Sequence, residues 1–89
     1  MVTTGIIIDA SHDSASTLDQ RILRYAHERG YGGFDSYLLT VDVSAEDYAE
    51  ALYWESERAV DYLNNDHAPE GYAYVVEDNS LYLRSVDND

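Results

Sequence analysis

Cysteine and lysine are absent from this chain of 89 residues, and proline occurs only once. Without cysteine, the chain can form neither a disulfide bond nor a thiolate zinc site. Long apolar runs are also missing: the longest extends from Tyr72 to Val76, so no segment resembles a signal peptide or a membrane span. Gly30, Gly32 and Gly33 follow a predicted helix rather than a strand, which argues against a phosphate-binding loop. We therefore expect a soluble intracellular protein without a metal ion or a cofactor.

Basic residues are scarce. Five arginines accompany eighteen acids, which gives a formal net charge of −13 at pH 7. Such a chain repels nucleic acids and anionic membranes, so its expected partners are basic protein surfaces. Residues 1–30 contain four acids and three arginines, whereas residues 31–89 contain fourteen acids and two arginines. We interpret this uneven distribution as a directed acidic face. The alternative is a salt-adapted, halophilic domain with a housekeeping or regulatory role, whose acids should cover the whole surface.

Hydrophobic residues make up 45% of the chain, which is ordinary for a globular protein and favours one folded domain over residues 1–89. Runs that are β-branched or that alternate between apolar and polar residues predict strands. The last two of these runs flank a turn at Asp78–Ser80 and predict a hairpin, with Leu81 and Leu83 pointing inward. The four predicted strands are Thr4–Asp9, Ser36–Val43, Tyr72–Glu77 and Leu81–Arg84.

Two helices are predicted between these strands. The first begins at Thr17, which has Gln20 at capping-box spacing and Ser16 as a competing cap, and ends before Gly30. The second begins at Ser44, capped together with Asp47, and continues to about Asn64. The order is β-α-β-α-β-β. Because a right-handed crossover joins parallel strands, we expect an α/β fold of two layers (α+β), with a four-stranded mixed sheet and two helices on one face.

The second helix carries six of the eighteen acids and the single tryptophan. At about 100° per residue, one side of the helix, which we expect to be buried, consists of Tyr48, Ala51, Leu52, Ala59, Tyr62 and Leu63. Glu55 also falls on this side, where it could reach Arg58 or a residue of the sheet, unless the helix is rotated from this projection. The opposite arc contains the candidate partner-binding residues Glu46, Asp47, Glu50, Trp54, Glu57 and Asp61. Its five carboxylates extend over about 23 Å, a density comparable to the phosphates of a DNA strand.

A second candidate site lies after the first predicted strand, where Asp9, His12, Asp13 and Ser14 occur together. An Asp/His pair could hold a metal ion or act as acid and base. However, the spacing matches no ligand motif, and loop residues of this kind are usually solvated or cap a helix. A small metal-binding or enzymatic domain is therefore the third hypothesis, and we expect that the protein is not an enzyme.

The small size, the acidity, the many aromatic residues and the segment Ser44–Asp61 resemble phage-encoded inhibitors of bacterial defence. These are the anti-CRISPR and antirestriction proteins, many of which are acidic DNA mimics, and the function that we expect is that of an anti-CRISPR inhibitor. The resemblance implies that carboxylates replace phosphates in the basic groove of a nucleic-acid-binding protein, such as a CRISPR effector subunit or a restriction enzyme. It further implies a monomer or homodimer in the cytoplasm of a bacterial host cell, without direct binding to nucleic acid or membrane.

Overall fold

The structure, a computed structural model, describes residues 5–86. It is an α+β fold with the strands β1 (Gly5–Asp9), β2 (Tyr72–Glu77) and β3 (Ser80–Ser85) and the helices α1 (Ala15–His27) and α2 (Ala49–Asp66). The two helices pack against each other, and the core lies between them and one face of the sheet. Across residues 5–86, neither helix is long and apolar enough to cross a membrane.

The strand predicted at Ser36–Val43 is wrong, because the chain forms a 3₁₀ helix at Ser36–Leu39 and then bends. The Asp35 carboxylate accepts a hydrogen bond from the backbone N–H of Tyr37 and thereby caps this helix. Leu38 and Val41 are both buried, a three-residue spacing that a strand cannot direct to one face. Gln20 of α1 donates to the carbonyl oxygens of both residues, at 3.0 and 2.9 Å, which occupies acceptors that a strand pairing would need.

The predicted four-stranded mixed sheet is therefore a three-stranded antiparallel sheet with the order β1-β3-β2. Without a second strand beside it, β1 pairs antiparallel with β3, as Ile6 opposes Tyr82 and Ile8 opposes Leu81. Ile7 lies in an irregularity between these pairs. β1 is consequently an edge strand, and its isoleucines are half-buried or exposed rather than fully buried as the β-branched run predicted.

The C-terminal hairpin is confirmed. β2 and β3 pair from Tyr72 opposite Ser85 to Glu77 opposite Ser80. The turn residues Asp78 and Asn79 have φ angles of 50° and 54°, the left-handed conformation of a two-residue type I′ turn, which asparagine and aspartate tolerate. Leu81 and Leu83 point into the core as expected.

Helix α1 begins earlier than predicted. Its cap is Ser14, whose hydroxyl accepts from the backbone N–H of Thr17 at 3.1 Å, so neither Thr17 nor Ser16 is the cap. Gln20 is unavailable for a capping box because its amide bonds to the 3₁₀ segment described above. The end is as expected: Gly30 has a φ of 108°, which favours glycine. The predicted apolar stripe is buried, namely Leu18, Ile22, Leu23 and Ala26.

Helix α2 is preceded by a 3₁₀ turn at Glu46–Tyr48 and ends at Asp66, slightly beyond the predicted Asn64. Ser44 does not cap it, because both its N–H and its hydroxyl donate to the carboxylate of Asp42, at 2.9 and 2.7 Å. The buried side of α2 repeats at helical spacing and faces α1 and the sheet; it consists of Leu52, Ser56, Ala59 and Leu63. Tyr48 and Tyr62 are half-buried, and the prediction that Ala51 is buried is wrong, because it lies at the margin of this side and is exposed.

Candidate functional site

The outer side of α2 brings Glu50, Trp54, Glu57 and Asp61 into one line. Their spacing of four, three and four residues keeps them on a single helix face, opposite Leu52. All four are exposed, and the exposed fraction of Trp54 is 56%. We call these four residues the acidic stripe.

Glu46 and Asp47, the other two predicted partner-binding residues, lie in the 3₁₀ turn before α2. They are exposed, but a 3₁₀ turn advances by about 120° per residue rather than 100°, so the α-helical projection does not apply to them. Their carboxylates therefore sit at the N-terminal end of the helix rather than in the line of the acidic stripe. The positive end of the helix dipole favours negative charge there.

No arginine within residues 5–86 lies within 4.0 Å of a carboxylate of the acidic stripe. The ion pairs of this part of the chain use other acids: Asp13 with Arg21, Glu28 with Arg29, Glu55 with Arg58, and Glu77 with Arg84. The negative charge of the stripe is thus uncompensated by the protein's own bases and is available to an external cation.

Tyr53 and Trp54 form an exposed aromatic pair beside these carboxylates. Their rings meet edge to face with centroids 5.2 Å apart, and Tyr53 is 48% exposed. Hydrogen bonding to the Glu57 carboxylate, together with its negative charge, raises the pKa of the Tyr53 phenol. Tryptophan and tyrosine surrounded by polar residues are typical of binding hot spots.

Glu55 has a structural role. Its carboxylate accepts a hydrogen bond from the Tyr31 hydroxyl at 3.0 Å and contacts Arg58 at 3.5 Å, so the contact with Arg58, one of the alternatives above, is confirmed. Burial, followed by the bond to Glu55, raises the pKa of Tyr31 to about 12. This carboxylate therefore ties α2 to the segment after α1 and does not belong to the exposed acidic surface.

A groove of about 410 Å³ runs beside the acidic stripe, between α2 and β2. Its polar lining includes Glu57, Tyr53 and the half-buried Asp19 of α1. The Ser56 hydroxyl donates to Asp19 at 3.1 Å, but burial dominates and raises the pKa of this carboxyl above its usual value. The remaining wall is largely apolar, formed by Ile22, Val60, Tyr74, Val75 and Val76.

Sequence reasoning missed Asp19 as a member of this surface. The available signal was its position in α1, where it follows Leu18 and precedes Ile22 at helical spacing and so lies at the edge of the apolar stripe. The helix geometry places an acid at that position beside the interface between the helices. The groove itself depends on how α1 meets α2 and β2, which the sequence does not specify.

The residues of the second candidate site bond to other residues rather than to one another. The Asp9 carboxylate accepts from the N–H and hydroxyl of Ser11, at 3.1 and 2.8 Å, and these bonds lower its pKa. Asp13 contacts Arg21 at 3.6 Å, and Ser14 caps α1. His12 is exposed. Over residues 5–86, no three potential metal ligands come together.

Comparison with known proteins found no family model, no curated relative and no solved structure that matches this chain.

Proposed function

We propose that this protein is an acidic inhibitor that binds the basic nucleic-acid-binding surface of a bacterial defence effector and blocks access of DNA by phosphate mimicry. Candidate targets are a CRISPR effector subunit and a restriction enzyme. The observation that carries the proposal is the acidic stripe: three exposed carboxylates without an arginine partner, in one line with an exposed tryptophan.

The spacing of the stripe supports this function. Glu57 lies about 10.5 Å along the helix axis from Glu50, and Asp61 lies about 6 Å further on, at roughly 1.5 Å per residue. A DNA strand presents one phosphate per about 3.4 Å of its axis, so the carboxylates correspond to every second or third phosphate. Glu46 and Asp47 extend the negative surface beyond the N-terminal end of α2. Arginines that bind a DNA backbone can therefore meet carboxylates at compatible intervals.

The exposed aromatic residues and the groove would supply apolar contacts, which phosphate mimicry alone does not provide. Exposed ion pairs contribute little because water and salt screen them. Trp54 offers an apolar anchor and a ring face on which a guanidinium can stack. The groove beside it combines the Glu57 and Asp19 carboxylates with an apolar wall, which suits the long stem and charged end of a basic side chain.

The test is competition between this protein and labelled duplex DNA on a panel of purified CRISPR effector complexes and restriction enzymes. The wild type should displace DNA from at least one of them. The variant Glu57→Lys/Asp61→Lys should lose at least about tenfold in apparent affinity, because it places two positive charges against a basic groove.

The matched control is Asp66→Lys/Glu70→Lys, which changes the net charge equally at exposed acids outside the stripe. This variant should compete nearly as well as the wild type. If both double variants lose affinity to the same extent, only net charge matters and the stripe is not the binding site. If the wild type displaces DNA from no effector, the proposed function is wrong.

A further inference from the structure

The outer edge of β1 is unpaired within the described part of the chain. β1 hydrogen-bonds to β3 on one side only. Apart from the pairing with β3, the backbone of 5–8 forms no hydrogen bond to another residue of 5–86, and Asp9 accepts only a 3.4 Å bond from Arg21 at its carbonyl. Ile6 is 50% exposed. An edge of this kind is a template for pairing with another strand.

Proteins usually protect such edges with charged residues, proline or a covering segment. Here the edge reads Gly5-Ile6-Ile7-Ile8, without a charge before Asp9. The protective features of this strand are its short length of five residues, the φ of 107° at Gly5 and the irregularity at Ile7. They shorten the regular ladder that can form but do not remove the free donors and acceptors.

Charge is balanced beside this edge, in contrast to the rest of the molecule. A groove of about 360 Å³ lies between β1 and α1, and its charged lining consists of two arginines and two acids. Its apolar lining is formed by Ile7, Ile8 and Tyr25. A second molecule with the same large negative charge is therefore repelled least at this side, and the mixture of charges can complement itself. The charged residues are Asp9, Arg21, Arg24 and Glu28.

These charges line the same groove as Ile7 and Tyr25. A short loop joins β1 to α1, so the helix returns antiparallel to the strand, and the Arg21 guanidinium lies 3.4 Å from the Asp9 carbonyl oxygen. From Asp9 to Ile7 the strand covers about 6.6 Å, and four residues of helix from Arg21 cover about 6 Å. These two lengths are similar, and Ile7 and Tyr25 line the same groove, so we take this pair as the place of a two-fold axis. A two-fold axis there would place Arg21 opposite Glu28 of a second copy.

We propose that two copies of this chain associate through antiparallel pairing of their β1 strands, with Arg21 of each copy against Glu28 of the other. The arrangement is isologous, as in most homodimers, because each copy contributes the same surface. α2 packs against β2, which is the edge of the sheet farthest from β1. The acidic stripe therefore stays exposed in the dimer. This inference does not depend on the proposed function.

Sedimentation equilibrium over a wide range of protein concentration, at physiological ionic strength, tests the proposal. The wild type should show a reversible monomer–dimer equilibrium. Arg21→Glu and Glu28→Arg should each raise the dimer dissociation constant about fivefold or more, because each creates two like-charge contacts across the axis. The double variant Arg21→Glu/Glu28→Arg restores opposite charges and should return the dissociation constant toward the wild-type value.

Arg58→Glu and Asp66→Arg are matched controls, since they change the net charge by the same amounts on α2 and should leave dimerisation within twofold of the wild type. Circular dichroism would verify that each variant folds. Hydrogen exchange at the amides of 5–8 should slow as protein concentration rises. A wild type that stays monomeric, a dimer insensitive to both single reversals, or a double variant that does not recover would each overturn the proposal.

Discussion

Asp19 is a charged residue in a half-buried position, which affects both its pKa and the stability of the fold. Its carboxylate lies half-buried at the wall of the groove, accepts a hydrogen bond from Ser56 and is near the charge of Glu57. Burial raises its pKa because a charged group loses solvation. Since the folded state binds the proton more tightly than the unfolded state, stability contributed by the protonated form is lost as pH rises from the usual aspartate pKa of about 3.9 through the raised value.

Asp19→Asn should therefore stabilise the fold at pH 7. The amide oxygen can still accept the Ser56 hydroxyl, while the buried negative charge and its proximity to Glu57 are removed. Urea unfolding at pH 7 and at pH 3 checks this: the gain in the free energy of unfolding should be present at pH 7 and shrink at pH 3, where the wild-type carboxyl is protonated. Asp66→Asn, the same change at an exposed acid, controls for net charge. If Asp19→Asn lowers the free energy of unfolding at pH 7, the prediction that the buried charge of Asp19 destabilises the fold is wrong.

The side on which individual α2 residues lie was predictable from the sequence only where the backbone is α-helical. The helical period correctly placed Trp54 outward and Glu55 inward, since both lie within Ala49–Asp66. The same period was not valid for Glu46 and Asp47, which belong to a 3₁₀ turn. Nothing in the local sequence distinguishes the first turn of an α-helix from a 3₁₀ turn, because both tolerate the same acids there.

At the scale of secondary-structure elements, Asn64 links α2 to the outer edge of β2 by two hydrogen bonds. Its side-chain amide donates to the carbonyl oxygen of Tyr74 at 3.1 Å, and its amide oxygen accepts from the N–H of the same residue at 2.7 Å. One asparagine thus reproduces the pair of bonds that a neighbouring strand would make. Tyr74 is buried, so these backbone groups have limited access to water.

Asn64→Ala should destabilise the protein by about 1–3 kcal/mol, because it leaves a donor and an acceptor of β2 unpaired. The adjacent Asn65 is exposed and has no side-chain hydrogen bond in the described residues, so Asn65→Ala should change stability by less than about 0.5 kcal/mol. Urea unfolding of the two variants measures both effects. Equal stability of the two variants would show that the Asn64 bonds do not stabilise the docking of α2.

Elements specified by local signals were predictable, whereas elements fixed by distant contacts were not. The hairpin follows from the alternation around Asp78 and Asn79, and α1 follows from its apolar stripe. Ser36–Val43 alternates as a strand does, yet Gln20 of α1 bonds to its carbonyl groups and the segment becomes a 3₁₀ helix. Losing that strand also changed the pairing of β1. The error in one segment therefore propagated to the topology.

Over the whole molecule, negative charge far exceeds positive charge, and the acidic stripe adds to this imbalance. Mutual repulsion among uncompensated carboxylates lowers the stability of the compact state, and salt screens it. The dependence of stability on salt concentration therefore distinguishes the proposed inhibitor from a salt-adapted domain. A salt-adapted domain needs high salt in order to fold, whereas an inhibitor that acts in a bacterial cell folds at ordinary ionic strength.

Thermal melts should therefore be cooperative at about 0.15 M NaCl, the physiological range. The melting temperature should rise by roughly 4–8 °C between about 0.02 M and 0.5 M NaCl, which corresponds to about 1 kcal/mol for a domain of this size. Glu57→Lys/Asp61→Lys should show a smaller rise, because part of the repulsion has been removed. Cooperative unfolding that occurs only at molar salt would favour the halophilic alternative and count against the inhibitor.

The amide of Asn64 also limits how far the sheet can grow. It occupies both outward backbone groups of Tyr74, and the N–H of Tyr72 bonds to the Pro69 carbonyl oxygen, so much of the β2 edge is closed. A sheet with two open edges can add copies without end and form a filament. With much of this edge closed, the association proposed through β1 favours an assembly of two copies. The placement of one asparagine thus helps to separate a finite assembly from a fibre.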